Sequence, residues 1–487
     1  MLPMVSVTLF LPLLGAALLV VLRDVPSRTA HAIGIVASGL TLAGAVWIWA
    51  RGVAGEGFSQ VEEVEWIPSI GVAYRVGVDG ISLPLVLLTA ILFFVALVFS
   101  ARIEERTRSY VALALLLETA SIGVFVALDA ILFYVFFEVT LVSMYFMIAG
   151  WGHEGRQRAA LMFFLYTLLG SLPLLLAILG LYLGSDPNTF DMRALITDPP
   201  LSGLAATLAL LAMLVTFAVK IPVFPLHTWL PAAHVEAPTA GSVILAGVML
   251  KFGTYGLVRF ALQMTPEAFR SLAVVVLVFG VFSALYGAFA ALAQTDLKRL
   301  VAYTSVNHMG YVVVGVAVAA VAADPGARTL ALDGAVLQMV SHGVVTGALF
   351  LLVGMIQDRA HTREMGELGG LLKVVPVLGW SFVLAAFASL GLPGLAHFPA
   401  EFQIFLGTLR VYPAAVVVVL GIVVTAGLYL KAIQSAFLGE APERWRGMKD
   451  MDARERLAAA PLLALTVLIG VAPFVVLEVI HRTTQGL

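Results

Sequence analysis

The sequence predicts an all-α polytopic membrane protein with about fourteen transmembrane helices. Three observations predict it. The 487 residues are 61% hydrophobic and only 12% charged, whereas a soluble domain carries about 25% charged residues. Apolar windows of about 20 residues, the length that crosses a bilayer, recur along almost the whole chain. Finally, Glu138, Lys220, Lys251, Glu401 and Lys431 stand inside such windows. A charge at the midplane costs about 2.5–3.5 kcal/mol on insertion scales, so it is kept there mainly for work.

Taken in order, the windows fall near 3–22, 29–50, 81–103, 109–128, 130–150, 157–183, 201–221, 239–262, 268–293, 299–323, 331–356, 374–407, 412–437 and 458–480. The first 22 residues contain no Lys or Arg, so they lack the basic start of a cleaved signal peptide and read as a spanning helix that stays. Segment 52–78 is polar and β-branched, with Gly71 interrupting it, and predicts a short hairpin at the membrane surface.

Lysine and arginine orient the chain. Loops after odd-numbered helices carry Arg23, Arg28, Arg102, Arg106, Arg108, Arg156, Arg158, Lys298, Arg299, Arg359, Arg363, Lys373 and the run from Arg444 to Arg456. Loops after even-numbered helices, with the C-terminus, carry Arg51, Arg75, Arg193, Arg259, Arg270, Arg328, Arg410 and Arg482. About seventeen against about eight places the odd loops inside and both termini on the outer side.

Two helices carry the residues of a break, Lys220-Ile-Pro222-Val-Phe-Pro225-Leu-His227 and Gly391-Leu-Pro393-Gly394-Leu-Ala-His397-Phe-Pro399. Proline cannot donate its backbone bond, and backbone freed at membrane depth is tolerated only where it faces protein or water. Interruptions at matching places in two halves mark repeat-built transporters. The expected division is therefore 1–108 (helices 1–3 with the hairpin), 109–262 (a first five-helix repeat), 263–437 (a second, inverted repeat) and 438–487 (a loop and the last helix). Each repeat has one broken helix, so Lys220 pairs with Glu401, Lys251 with Lys431, and Glu138 with the stretch holding His308.

Each singled-out residue also has a plain structural reading. Glu138 could be a protonated, hydrogen-bonded core carboxyl, but it has no obvious route to the surface. Lys220 could snorkel from a helix end; the neighbouring prolines and a partner in Glu138 favour function. Lys251 is too far from either end to snorkel, and a buried lysine can carry a proton. Glu401 follows the second break. Lys431 lies nearer an end and is evenly balanced. His308 and His342 are buried, and histidine titrates near neutrality. His227, His234 and Glu236 cluster after the first break without the ligand spacing of a metal site, and Glu118 and Asp129 favour a structural role. The chain has no cysteine, which excludes disulfides and cysteine-held iron–sulfur clusters. It shows no nucleotide-binding loop in a strand–helix context and no basic patch for nucleic acid. Charges of both signs in both halves point to proton or cation transfer.

Several long strings carry a resemblance. They include Leu128-Asp129 through Glu138 to Gly150-Trp151-Gly152; Phe224-Pro225-Leu-His227-Thr228-Trp229-Leu230-Pro231; and Ala233-His234-Val-Glu236-Ala-Pro238-Thr239-Ala-Gly241-Ser242 on to Lys251. Further on come Ala302-Tyr303-Thr-Ser305-Val-Asn-His308-Met309-Gly310, Gln338-Met339-Val-Ser341-His342-Gly343, and Gly391-Leu-Pro393-Gly394 to Glu401-Phe402. Over nearly its whole length the chain resembles the antiporter-like, proton-translocating subunits of respiratory complex I (NADH–quinone oxidoreductase), which share motifs with sodium/proton antiporter subunits. Two features narrow the resemblance: the chain stops soon after its fourteenth helix, without a long lateral helix, and it contains Gln357-Asp358-Arg359-Ala-His-Thr362-Arg363. It departs from the family at Ser143 (often proline), Ala232 (usually aspartate) and Ala400 (commonly glycine), none of them a charged relay position.

The resemblance implies that Glu138 and Lys220 form a switchable ion pair, that Lys251 is the central relay residue, that His308 and His342 bridge the halves, and that Glu401, with Lys431 further along, serves the exit half. It also implies flavin, iron–sulfur clusters and quinone in partner subunits, none in this chain, and neighbouring membrane subunits as partners in a bacterial inner membrane. Two rivals stand beside it: a subunit of a multi-subunit sodium/proton antiporter, and a structural subunit whose charges only pin helices together.

Overall fold

In the computed structural model, residues 3–22, 24–55 and 57–487 are described. Arg23, one of the orienting charges, lies outside the described residues. The elements run α1 (Met4–Val21), α2 (Ser27–Arg51), β1 (Ser59–Ile67), β2 (Val72–Val78), α3 (Ser82–Phe99), α4 (Thr107–Val126), α5 (Ala130–Trp151), α6 (Arg156–Gly184), α7 (Gly203–Lys220) and α8 (Trp229–Glu236). There follow α9 (Thr239–Leu262), α10 (Pro266–Leu292), α11 (Leu297–Val321), α12 (Pro325–Ala360), α13 (Pro376–Ser389), α14 (His397–Val411), α15 (Pro413–Phe437), α16 (Ala453–Val471) and α17 (Phe474–Thr484). Among the described residues, twelve helices are long and apolar enough to cross a membrane, thirteen with α16 and α17 counted as one bent span.

Helices form here because in lipid a helix satisfies its own backbone. Their starts are set by side chains. Asp129, Asp296, Asp324 and Asp452 each sit at an N-cap and accept two or one of the free amide protons of α5, α11, α12 and α16. Burial separates a centre from a rim. The spanning windows of α9 and α12 are wholly buried and that of α11 94% buried, whereas α1, α2, α6 and α15 are 39% buried. The polar groups of α9, α11 and α12 are therefore shielded from lipid by other helices.

The hairpin forms as expected. β1 and β2 pair antiparallel, with Glu62 opposite Val76 and Val64 opposite Tyr74, and Gly71 turns between them at φ +72°. The Arg75 guanidinium lies 2.6 Å from Glu63 and 3.1 Å from Asp129, and Arg193 lies 2.9 Å from Glu63. These contacts dock the hairpin on the start of α5.

The second break falls where the sequence places it, and the structure departs from the sequence reading in three other ways. The window 374–407 is two short helices, α13 and α14, because Gly391 (φ +80°) and Gly394 (φ +88°) turn the chain between them. The last window bends by 68° between α16 and α17, around Pro473. α9 is interrupted by π-helical turns at Leu245–Met249 and Leu257–Leu262. Lys298 and Arg259, counted as loop charges, are fully buried within helices. Removing one from each side of the orientation count leaves its bias intact.

Candidate functional site

The first break holds Lys220 on the last turn of α7, and α8 resumes at Trp229. Trp229 Nε1 donates to the Val219 carbonyl (2.9 Å), satisfying an acceptor near the end of α7. Gly253 of α9 presses on this turn: a Cβ there would lie 2.7–3.0 Å from Ile221 and Lys220, so only glycine lets the two backbones meet. Among the described residues the buried Lys220 ammonium has no hydrogen-bond partner, and it faces the rings of Phe137 (4.7 Å) and Phe252 (5.7 Å). Glu138 follows Phe137 on α5, with Ser171 and Tyr134 facing its carboxyl and its Oε1 unpartnered.

Lys251 lies next on α9. Its Nζ donates to the Ala246 carbonyl (2.6 Å) and lies 2.7 Å from His342 Nδ1 on α12. Two local features make this meeting possible. The π-turn over Leu245–Met249 leaves a carbonyl open to the side chain, as such turns do at functional sites. Gly247 and Gly343 also face one another, and a Cβ on Gly343 would come within 2.8 Å of the Gly247 carbonyl, so α9 and α12 cross at backbone contact.

Beyond His342 the row continues into the second break. The His342 ring lies 5.7 Å from that of His308 (α11) and 6.3 Å from that of His397 (α14); His308 and His397 are 4.5 Å apart. The Ser389 carbonyl, at the end of α13, lies 3.0 Å from His308 Nε2 and 3.3 Å from His397 Nδ1. Those two nitrogens are 3.8 and 3.7 Å from Glu401 Oε1, and Gln338 of α12 donates to the same oxygen (3.3 Å). All six side chains from Lys251 to Glu401 are buried. Gly391 leaves room for the carboxylate, since a Cβ there would lie 2.8 Å from Glu401 Oε2.

His308, His397 and Glu401 also present donor atoms within 4.8 Å of one another, enough for a transition-metal ion. The two histidines share the Ser389 carbonyl, with Glu401 Oε1 3.7–3.8 Å from their ring nitrogens, so the three equally make a compact polar group without an ion. The earlier cluster after the first break does not converge. Glu236 Oε2 accepts from the Gly155 amide (2.8 Å), His227 packs among Phe224, Tyr286 and Tyr303, and His234 stacks on Phe350.

The structure thus brings Lys251, His342, His308 and Glu401 together and places Lys220 against the rings of Phe137 and of Phe252, the residue next to Lys251. It does not join Lys431, which is exposed on α15, donating to the carbonyls of Leu292 (2.8 Å) and Gln294 (3.4 Å) at the end of α10; there it neutralises a helix C-terminus. Glu118 and Asp129 play structural parts. Glu118 accepts from the Ser38 hydroxyl (2.8 Å), and Asp129 caps α5.

Three groups of the site went unremarked in the sequence, and a fourth, His234, was weighed only as a metal ligand. His397 sits in the break motif and Gln338 in the string before His342, so spacing alone could have raised both. Lys298, fully buried, donates to the Ala237 carbonyl (2.7 Å); its place beside Arg299 disguised it as a loop charge. His234, both ring nitrogens without a hydrogen-bond partner among the described residues, stands within electrostatic reach of Lys298 and Lys251.

A polytopic helical membrane protein with a buried row of lysine, histidine and carboxylate between two broken helices is the class that fold and site define. The chain belongs to the NADH:quinone oxidoreductase/Mrp antiporter transmembrane family, whose model matches residues 127–428. It is 40% identical to NADH-quinone oxidoreductase subunit M of Rhodobacter capsulatus, over 99% of this chain and 96% of that one. A chain of respiratory complex I from Thermus thermophilus with bound NADH superposes with a TM-score of 0.90 at 33% identity, covering 99% of this chain and 98% of that one. A chain of the Mrp complex from Dietzia sp. DQ12-45-1b shares the fold, with a TM-score of 0.85 at 23% identity, over 100% of this chain and 98% of that one.

Proposed function

We propose that this chain is the M-type proton-translocating membrane subunit of an NADH–quinone oxidoreductase. The observation that carries the reading is the contact of Lys251 with His342, which continues through His308 and His397 to Glu401. Protons pass between such groups because each can hold or release one without a large movement. A buried charge is costly, so the row titrates as a coupled set rather than residue by residue.

In this reading the two ends have different tasks. Lys298 and His234 load Lys251 from the end where α11 begins. Lys220 and Glu138 form the switch: with the pair apart, Lys220 is free to exchange with Lys251, and when the pair closes it is held back. Lys431 stands at the rim, where it steadies α10. Helices 4–8 and 9–13 are two inverted repeats, with divisions at 109–262 and 263–437; the matching breaks support this, although Lys220 precedes its break and Glu401 follows its own. The arginine and lysine bias supports both termini on the outer side of a bacterial inner membrane. Moving one charge against 100 mV costs about 2.3 kcal/mol, and this chain has no cysteine to hold an iron–sulfur cluster. The drive therefore comes from partner subunits holding flavin, iron–sulfur clusters and quinone, alongside other antiporter-like subunits.

The test is purification through a tag on this chain in gentle detergent. Co-purifying NADH–quinone reductase activity with flavin and iron absorbance is the expected result. In that complex Lys251→Met and Glu401→Gln should keep assembly and lower the protons moved per NADH. A colourless complex of small membrane proteins, inert toward NADH, would favour a sodium/proton antiporter subunit. Unchanged pumping in both variants would leave the charges a purely structural role.

A further inference from the structure

Counted toward the N-terminal end of α12, His342, Gln338 and Asp333 stand in that order among its buried polar residues, with Ser341 beside His342. At 1.5 Å per residue the steps are about 6 and 7.5 Å along the axis. The first two belong to the row. Asp333 does not, yet it is buried. Its Oδ2 lies 2.9 Å from His481 Nδ1, and its Oδ1 accepts from the Thr484 hydroxyl, both on α17. The Asp333 side chain is 8% exposed and that of His481 51%, so this one hydrogen bond joins the interior to the surface.

The surroundings fit that role. The 68° bend between α16 and α17 turns the last helix across this end of the molecule, and Thr483 Oγ1 holds it there by accepting from the Gly80 amide (2.8 Å). Next to Asp333, Gly334 meets the backbone of α14: a Cβ there would lie 2.8 Å from the Ala400 carbonyl and the Ile404 amide. At this glycine α12 therefore packs close against the helix that carries Glu401. Beside this junction opens a cavity of about 350 Å³, lined by Gln263, Arg270, Arg328 and Leu332 and by Gly486 and Leu487 of the chain end.

We infer that Asp333 and His481 form the outlet of the relay, passing to the aqueous face the proton that Glu401 gives up; this rests on the relay proposed above. A proton leaves the Glu401 carboxyl, crosses the Gln338–Asp333 interval over water, and lands on Asp333. Asp333 hands it to His481 Nδ1 while His481 Nε2 releases one to solvent, so one proton enters and one leaves. The two ring nitrogens of histidine suit it to this exchange. A mere staple between α12 and α17 would need hydrogen bonds but no exchangeable proton.

The variants Asp333→Asn and His481→Gln keep hydrogen-bonding groups in place and remove that exchange. They are compared with Lys251→Met and Thr484→Ala in the assembled complex, reconstituted in vesicles, with protons moved per NADH as the readout. The expected result is that both outlet variants lose as much proton yield as Lys251→Met while Thr484→Ala keeps the wild-type yield. Should Asp333→Asn fail to assemble, His481→Gln decides, because that ring is half exposed. Assembled outlet variants with wild-type yield overturn the outlet, as does a loss in Thr484→Ala equal to theirs. If Lys251→Met itself pumps normally, the relay fails and the outlet with it.

Discussion

Single residues carry two kinds of work here, and substitution separates them. Arg259 and Asp79 form a fully buried ion pair at one end of α9. Removing one member of such a pair leaves the other charged and unpaired, at about 3–5 kcal/mol. Arg259→Ala should therefore lower the thermal midpoint of the complex or its yield; a midpoint equal to wild type would show that the pair contributes nothing. Lys298 is buried without an ion-pair partner within bonding distance among the described residues, its ammonium held by the Ala237 carbonyl. Lys298→Met is expected to cost little stability and to slow turnover several-fold, the opposite pattern. Gly391→Ala tests space: the left-handed backbone and the 2.8 Å approach to Glu401 Oε2 mean that a methyl group displaces the carboxylate. Strain at such a position costs about 1–3 kcal/mol, and NADH-driven proton uptake should fall even in complexes that still assemble.

Elements show how much could be read before any coordinates. Fourteen apolar windows became spanning helices or pairs of short ones, since length and apolarity are properties of a local stretch. The hairpin was legible for the same reason, with its β-branched run and Gly71. The π-turns of α9 were not legible, because a helix takes in an extra residue for reasons of packing, here the crossing at Gly247 and Gly343. Nor was the burial of Lys298: beside a loop, a lysine that enters the core and one that points to water have the same sequence. Lys431 errs the other way, as an apolar neighbourhood in sequence does not say which face of a helix looks inward.

Two predictions belong to element ends. Asp452 opens α16 with a capping box closed by Glu455 and also meets Arg102 at 2.6 Å; Asp452→Ala should cost about 1 kcal/mol, seen as earlier thermal release of the C-terminal segment to protease. His153, in the loop after α5, has its imidazole pushed down to about 4 by burial and by the nearby charges of Lys298 and Arg363. It folds neutral, so its contribution is complete above about pH 6.5, the ordinary value, and is lost as pH falls from there toward 4. Thermal stability should drop across that window, and His153→Gln should flatten the drop; identical slopes for the two proteins would rule His153 out.

For the whole molecule, the central helices α9, α11 and α12 form a polar spine inside an apolar sleeve, with an aromatic pair beside it where Lys220 meets Phe137 and Phe252. A membrane that stores a voltage is a charged capacitor, and every protein in it is a point where the dielectric can fail. On the relay proposed above, the two rings are the insulator of this component, and they interrupt the proton path until Lys220 moves, so that stored voltage does not drain through an idle enzyme. Phe137→Leu thins that insulation while keeping the site apolar. Vesicles bearing the variant complex, energised and left without NADH, should discharge faster than wild type; an equal decay would place the insulation elsewhere along the row.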